Sequence, residues 1–484
     1  MSAAATTTTD ARVADLRRAV GCDVIAEGDA GYDVLRRVWN ADIDRHPLAI
    51  VRATSATDVV AALQHCVAAG LPITVRGGGH NLAGTAVLDG AVMIDTGLLR
   101  SVELDERTGR VAVGAGCRWG DVDQALAGHG LAVPAGVVSH TGVAGLTLGG
   151  GLGYLSRMFG ATVDHVEQIE VVVADGRILT VTEQDHPELF WALRGAGHNF
   201  GIVTRFVFRT IALPGLVTIR QQLFGASDRR AILRFFHEWG PAAPGNMGTY
   251  IRLLRAPEYW SQIPAEHRGE QIISVATIFY GDPAGEAEAT APMFALADPI
   301  YSSLRTIPHV TLQHSTDDEF RYGLGHYWKH TSLDNFDDEG IDVVLRFVDE
   351  YPGRSLNSSA HIAHQLLCPF ELIAGTHQPR PRPNDSTAGI ESVLSVNIGA
   401  DWRYPSEKAP LVDWARRFDN ELEPYRNGTY INFTSVAGDE EMARSVYGDK
   451  YERLARAKRL YDPNNVFSRG LVNLAENEDS VWAK

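Results

Sequence analysis

Apolar and polar positions in the first part of the chain follow two periods, one typical of strands and one typical of a helix. The runs 46–53 and 71–75 are short and apolar, and each predicts a strand. Between them, apolar residues recur at the spacing of one helix face, at Val60, Leu63 and Val67. Ser55 suits the start of this helix and Gly70 its end. Residues 46–75 therefore predict a β-α-β unit, with which a small α/β layer begins.

The same patterns predict further elements along the chain. Strands are predicted at 92–95, 101–105, 110–113, 169–174, 177–181 and 202–209, and helices at 121–127 and 186–193. Asp175-Gly176 marks a hairpin turn between two of these strands. From about 216 to 425, strands and helices alternate with few glycine clusters. Near the C-terminus, Tyr451–Leu460 reads as a charged amphipathic helix that stops before Asp462-Pro463.

These changes of character divide the chain into four parts. An N-terminal segment, 1–45, precedes a glycine-rich region, 46–214, a second region, 215–424, and a C-terminal segment, 425–484. A length of 484 residues agrees with two or three domains rather than one core.

Charge and hydropathy then exclude several classes of partner. The formal net charge is −16 and no basic stripe with interleaved aromatic residues occurs, which argues against nucleic acid and anionic membranes. The N-terminus lacks the apolar core of a secretion signal. The long uncharged stretch 124–156 holds nine glycines and a proline in 33 residues, a composition that a membrane-spanning helix does not tolerate. We therefore expect neither nucleic acid nor membrane as a partner.

The four cysteines are Cys22, Cys66, Cys117 and Cys368, all far apart and with no CxxC pair. This spacing argues against a zinc site or a disulfide framework, so we expect no metal. A reducing compartment fits best, and we expect a cytoplasmic protein.

The first motif with chemical meaning is Arg76-Gly77-Gly78-Gly79-His80-Asn81, directly after a predicted strand. Three consecutive glycines allow successive backbone N–H groups to point into one concavity and bind phosphate oxygens. Arg76 adds charge, and His80 carries an imidazole at the end of the loop. A tight glycine turn with an incidental histidine remains the alternative for this motif alone.

The second motif runs from Gly142 to Tyr154, as GVAGLTLGGGLGY. It is too rich in glycine for a core helix and too apolar for a linker, so it suits a backbone packed against a flat or extended ligand. The alternative, a flexible loop, fits less well because flexible loops usually carry serine, aspartate and asparagine.

The third motif, Gly195–Gly201, imitates a dinucleotide fingerprint in its spacing. A helix is predicted before it and a strand after it, whereas the Rossmann fingerprint needs the strand first. We therefore interpret it as a glycine-rich turn with another use and not as an NAD site.

Taken in order, these segments resemble one protein family. They are RGGGHN at 76–81, GAGCRWGDV at 114–122, PAGVVSHTGVAGLTLGGGLGYLSRMFG at 134–160 and DHPELFWALRGAGHNFGIVT at 185–204. This set is similar to the PCMH-type FAD-binding domain of the vanillyl-alcohol oxidase family. TYINF at 429–433 and YGDKYERLARAKRLYDPNNVF at 447–467 narrow the resemblance to the berberine-bridge-enzyme-like branch. The resemblance is strong over 46–214 and 425–484 and weak over 216–424.

The resemblance implies an α+β fold. Two subdomains within 46–214 hold FAD, 425–484 returns to complete them, and 215–424 forms a substrate domain with an antiparallel sheet backed by helices. It also implies that FAD is attached covalently through His80. The other residues expected at the cofactor are Arg76, Gly77, Gly78, Gly79, Asn81, Thr141, Gly142, Gly145, Gly149, Gly150, Val203 and Asn432.

Many relatives make a second covalent link from a cysteine in a PAG-x-C segment. Here that position is occupied by Val138, and Cys117 lies elsewhere. The resemblance therefore implies the mono-covalent bacterial type, with His80 as the only link.

The activity implied is that of an oxidase. It would take a hydride from a CH–OH or CH–NH group of a small or medium organic molecule to flavin N5 and reduce O₂ to H₂O₂. The candidate catalytic residues are Tyr430, Asn432 and Lys329. Phe433 stands where many relatives have a tyrosine used as base, so the identity of the base stays open.

Other interpretations also stay open. Lys329 is alternatively a surface lysine, and His361, His364 and Asn397, on predicted strands beside the pocket, have structural roles as their first interpretation. The protein is alternatively a flavin dehydrogenase with another electron acceptor, or a non-catalytic flavoprotein that sequesters a ligand. The expected partners are a small-molecule substrate and O₂, in a monomer or homodimer.

Overall fold

The computed structural model describes residues 2–213, 215–256, 258–333, 336–353, 364–367, 386–387, 394–435, 438 and 440–475. The helices are α1 (Ser2–Ala19), α2 (Tyr32–Leu35), α3 (Ala56–Ala69), α4 (Trp119–Ala127), α5 (Val143–Leu148), α6 (Ser156–Phe159), α7 (Pro187–Ala196), α8 (Arg229–Trp239), α9 (Glu286–Phe294), α10 (His309–Gln313), α11 (Asp338–Asp349), α12 (Pro405–Glu421), α13 (Glu440–Tyr447) and α14 (Tyr451–Tyr461).

The strands form three larger sheets and one two-stranded ribbon. They are β1 (Asp23–Ile25), β2 (Ala49–Arg52), β3 (Ile73–Arg76), β4 (Val92–Asp95), β5 (Val102–Asp105), β6 (Arg110–Gly114), β7 (Leu131–Ala132), β8 (Val166–Val172), β9 (Ile178–Val181), β10 (Ile202–Arg209), β11 (Ile211–Ala212), β12 (Leu216–Phe224), β13 (Met247–Arg255), β14 (Gln271–Phe279), β15 (Tyr301–Pro308), β16 (Gly325–Leu333), β17 (His364–Leu367), β18 (Leu394–Trp402) and β19 (Arg426–Gly428).

The first sheet has the order β1-β2-β4-β3 and contains the predicted β-α-β unit. Ser55 caps α3 by accepting a hydrogen bond from the Asp58 N–H, and Gly70 ends it in the left-handed conformation at φ 65°. Strands β2 and β3 are not neighbours, because β4 lies between them and pairs in parallel with both. Strand β1 pairs with β2, so this sheet begins within the segment 1–45.

The second sheet is antiparallel, with the order β5-β6-β10-β8-β9. Helices α4, α7 and α14 share one buried apolar cluster with its strands. Leu454 of the C-terminal helix packs in that cluster with Leu189 and Phe206, which are separated from it by more than two hundred residues. The C-terminal segment therefore returns to the glycine-rich region of the chain.

The third sheet has eight strands in the order β15-β12-β14-β13-β17-β18-β16-β19, and its pairings are antiparallel. Helices α8, α11 and α12 cover one face, where Leu253, Val275 and Ile398 pack against Phe236 and Trp414. Successive side chains of a strand point to opposite faces, so the remaining positions form a second face. The predicted α+β fold, with an antiparallel sheet backed by helices, is confirmed.

No helix in the described ranges combines the length and the apolar character needed to cross a bilayer.

A buried ion pair also joins the C-terminal segment to the earlier part of the chain. Lys458 on α14 contacts the Asp462 carboxylate at 2.7 Å and donates to the carbonyl oxygens of Asn199 at 2.8 Å and Phe467 at 3.1 Å. Both charged side chains are nearly fully buried, at 2% and 0% exposed.

We expect Lys458→Met to lower the free energy of unfolding by about 3–5 kcal/mol, because it leaves the Asp462 charge buried without its partner. The measurement is urea unfolding followed by tryptophan fluorescence. Lys408→Met is the matched control, since Lys408 pairs with Asp42 on the surface and such pairs contribute about 0–1 kcal/mol. Equal losses in the two variants would contradict this account of the buried pair.

Candidate functional site

A single cavity brings together the glycine-rich loops and the second face of the eight-stranded sheet. Its empty volume is about 1830 Å³, including the part that opens to solvent. The residues predicted at the cofactor that line it are Gly77, Gly78, Gly79, His80, Asn81, Thr141, Gly142, Gly145, Gly149, Val203 and Asn432. Tyr430 also lines the cavity, as do Trp328 and Asn397 of the sheet.

The floor of the cavity is formed where two glycine loops touch backbone to backbone. A Cβ built on Gly78 would lie 2.3 Å from the Gly142 nitrogen, and one built on Gly142 would lie 2.3 Å from the Gly78 nitrogen. No side chain fits at either position without moving a backbone. Gly79 adds a left-handed turn at φ 72°, a conformation that favours glycine.

His80 is held by aromatic side chains and a second histidine. Its Nε2 lies 2.8 Å from Nδ1 of His140, which comes from the other glycine loop. Trp39 stacks on the His80 ring at a centroid distance of 5.0 Å, and Tyr322 contacts it edge-on at 5.6 Å. Burial, His140 and then Arg118 lower the pKa of His80 well below its usual value, so the imidazole is neutral at pH 7.

Tyr430 and Asn432 form a connected pair at the cavity wall. The Tyr430 hydroxyl accepts hydrogen bonds from the Gly151 N–H and from Nδ2 of Asn432, both at 2.8 Å. Nδ2 of Asn432 also donates to the Leu146 carbonyl at 3.0 Å. Burial raises the pKa of Tyr430, so its hydroxyl keeps its proton at neutral pH. The pair therefore fixes the second glycine motif in place.

Three predicted residues do not reach the cavity. Lys329 neighbours Trp328 on β16 and so points to the other face, where it pairs with Asp419 of α12 at 3.4 Å. The Arg76 guanidinium is engaged with the carboxylate of Asp95, with Nη2 at 2.7 Å. Gly150 is adjacent to the lining but is not part of it. Lys329, Arg76 and Gly150 are thus not among the residues that line the cavity, and their contact with substrate or cofactor stays a prediction.

Asn397 was one of three pocket-side candidates in the sequence. Its side chain is buried, at 2% exposed, and its Oδ1 has no hydrogen-bond partner among the described residues. The structure thus places an unsatisfied acceptor at the cavity. His361 and the side chain of His364 lie outside the described part of the chain.

Sequence reasoning missed several lining residues. Trp39, Thr74, Phe320 and Arg469 line the cavity but belong to no glycine motif. Trp39 lies in the segment 1–45, for which the sequence predicted no function. A signal for Arg469 was present, because Arg469-Gly470 follows directly on the C-terminal segment that carried the resemblance.

Known protein families and relatives also point to FAD as the ligand of this cavity. Residues 47–182 match the family described as "FAD binding domain", and residues 429–469 match "Berberine and berberine like". The chain therefore carries an FAD-binding domain and a berberine-like segment near its C-terminus. The chain is therefore an enzyme, as the sequence predicted.

Curated relatives are similar over almost their whole length. The FAD-linked oxidoreductase YgaK of Bacillus subtilis is 28% identical over 459 residues, which is 92% of this chain and 95% of that protein. The (R)-6-hydroxynicotine oxidase of Paenarthrobacter nicotinovorans is also 28% identical, over 463 residues, with the same two coverages of 92% and 95%.

Solved structures share the fold. The 6-hydroxy-D-nicotine oxidase of Arthrobacter nicotinovorans superposes with a TM-score of 0.80 at 24% identity, over 93% of this chain and 97% of its own. A xylooligosaccharide oxidase of Myceliophthora thermophila superposes with a TM-score of 0.80 at 23% identity, over 97% and 99%.

The residues that line the cavity fit FAD. Gly145 lines the cavity, and a Cβ built on it would meet no protein atom within 4 Å, so the space beside α5 is open to a ligand. The Thr74 hydroxyl at the cavity is buried and without a partner in the described ranges. Arg469 supplies a cation, which suits a pyrophosphate.

We expect Gly145→Leu to abolish FAD binding, because the new side chain would fill the space that the cofactor needs. The ratio of absorbance at 450 nm to that at 280 nm measures the bound flavin. Gly128→Leu is the matched control, since Gly128 also meets nothing within 4 Å and adopts helical angles, but lies on the surface. A Gly145→Leu protein that folds and retains a full complement of flavin would contradict the assignment.

Proposed function

We propose that this protein binds one FAD, attached through His80 alone, and oxidises a CH–OH or CH–NH group of a small or medium organic molecule with O₂ as the acceptor. The observation that carries the proposal is the composition of the cavity. One wall consists of the glycine loops and His80, and the other presents Trp328 and Asn397 of the eight-stranded sheet. A cofactor and a substrate can therefore meet between them.

The chemistry that FAD supplies when bound is two-electron oxidation with reoxidation by O₂. His80 supports attachment because its imidazole is neutral and so has a nitrogen lone pair. Val138 lines the cavity without a nucleophilic atom, which supports a single link. It is buried in an apolar cluster with Trp39, Phe320 and Trp328.

Hydrogen bonds from residues 313–317 hold the segment around Val138 in place. The Thr316 hydroxyl donates to the Val137 carbonyl at 2.7 Å, and Gln313 Nε2 donates to the Gly136 carbonyl at 3.1 Å. The Ser139 hydroxyl donates to the Asp317 carboxylate at 2.6 Å. These contacts fix the spacing between the two walls, and the spacing decides which substrates fit.

Asn397 is the substrate-orienting residue in this proposal. Trp328 and Phe433 contact each other edge to face at 6.2 Å and give the surrounding wall an aromatic character. The unpaired Oδ1 of Asn397 accepts a hydrogen bond from the O–H or N–H group of the substrate. Without this acceptor, the substrate group would lose its hydrogen bond to water on entering the cavity and gain none in return. Tyr430 and Asn432 hold the adjacent glycine loop in place.

The covalent link is tested by acid precipitation. We expect the native pellet to stay yellow and the His80→Ala pellet to be colourless, because no second side chain holds the flavin. Flavin that remains bound in the His80→Ala pellet would reveal another link. Flavin released from the native protein would remove covalent attachment from the proposal, and a native protein without flavin would remove the whole proposal.

The role of Asn397 is tested with substrates found by screening. Aromatic and alicyclic alcohols and amines are mixed anaerobically with the protein, and bleaching at 450 nm reports hydride transfer. For a substrate that bleaches the flavin, we expect Asn397→Leu to lower kcat/KM by about 10–100-fold, the cost of roughly 1–3 kcal/mol for an unpaired polar group. Asn246→Leu is the control, because Asn246 bonds the Tyr280 carbonyl and does not line the cavity.

The electron acceptor is identified with the same substrates. One H₂O₂ for each substrate oxidised supports the oxidase. Slow turnover with O₂ but fast turnover with a dye would instead identify a dehydrogenase, and failure of every substrate to bleach the flavin would favour a ligand-sequestering protein.

A further inference from the structure

The contact between His80 and His140 is not explained by cofactor binding alone. His140 lies two residues before Gly142, and His80 two residues after Gly78, so the meeting of the two glycine loops brings the imidazoles together. Their ring centroids are 4.8 Å apart, and the rings are tilted by 40°. Both side chains also contact Tyr322, at 5.6 Å from His80 and 5.5 Å from His140.

We propose that His140 is the positioning residue for formation of the His80–flavin bond, by accepting the Nε2 proton of His80 and leaving Nδ1 as the nucleophile. The inference rests on the covalent link proposed above and goes beyond it, because it assigns how the link forms.

The argument follows from the tautomers of a neutral imidazole. Such a ring carries one N–H and one lone pair, on different nitrogens. The 2.8 Å contact needs one donor and one acceptor, and when Nε2 of His80 donates, its Nδ1 carries the lone pair. Burial lowers the pKa of His140 as well as that of His80, so two neutral rings face each other. Among the described residues, the charged and titratable groups around the pair are Arg118, Asp317, His314, His326 and Tyr322.

The bond formation balances as an oxidation. A bond forms between Nδ1 of His80 and the carbon of the methyl group at position 8 of the flavin isoalloxazine. One C–H bond of that methyl group breaks. Attack through Nδ1 makes Nε2 acidic, and its proton passes to Nδ1 of His140. The two electrons from the C–H bond reduce dioxygen. One proton from the methyl group and one from the imidazole complete the H₂O₂. One H₂O₂ is therefore produced for each bond formed.

The test follows bond formation after FAD is added to apoprotein made in riboflavin-limited cells. Acid-stable flavin fluorescence of the protein band gives the rate, and peroxide is measured in parallel. We expect His140→Leu to bind FAD but form the bond about 10²-fold more slowly, the usual contribution of a positioned proton acceptor. His140→Asn should recover much of the rate, because its Oδ1 replaces the Nδ1 acceptor.

His129→Leu is the control, since His129 pairs with Glu106 on the surface and should form the bond at the native rate. Native bond formation in His140→Leu would overturn the inference and leave the covalent link intact. An acid-labile native flavin would instead overturn the link itself. If His140→Leu does not bind FAD, the rate of bond formation is measured in His140→Phe instead. This variant keeps an aromatic ring against Tyr322 but has no ring nitrogen to accept the proton.

Discussion

The contact on which the site depends is the approach of two backbones at Gly78 and Gly142. Neither position has room for a Cβ, so the two loops can meet only if both residues are glycine. Their meeting defines the floor of the cavity, and it also sets the distance between His80 and His140. The shape of the cavity and the environment of His80 are thus consequences of one steric constraint. Close backbone packing, rather than flexibility, explains why these glycines occur.

Other glycines of the same motifs contact protein and not ligand. A Cβ on Gly149 would meet Oδ1 of Asn432 at 2.1 Å, and one on Gly153 would meet the Ala135 carbonyl at 1.9 Å. The second motif therefore divides between positions such as Gly145, which face open space, and positions that pack against the C-terminal segment or the preceding loop. A glycine-rich sequence alone does not distinguish these two uses.

The sequence predicted the elements whose signals are local. Strands β4 and β10 have the predicted bounds, because short apolar or alternating runs between turn residues define them. It could not predict that β4 lies between β2 and β3, since strand order depends on contacts far apart in the chain. The ion pairs of Lys329 and Arg76 could not be predicted for a similar reason. Which face a side chain takes, and whether a neighbour such as Asp419 or Asp95 neutralises it, are decided by distant residues.

The cavity is built from both ends of the chain, from Trp39 to Leu471. Phe467 and residues 469–471 are the last part of the lining to be synthesised. The buried Lys458 bonds the Phe467 carbonyl and joins this segment to a loop made more than two hundred residues earlier. During translation the nascent chain therefore exposes glycine loops that have no completed pocket. The complete cavity exists only in chains synthesised at least as far as Leu471, so a cofactor that needs all of its walls can bind only a finished or nearly finished chain.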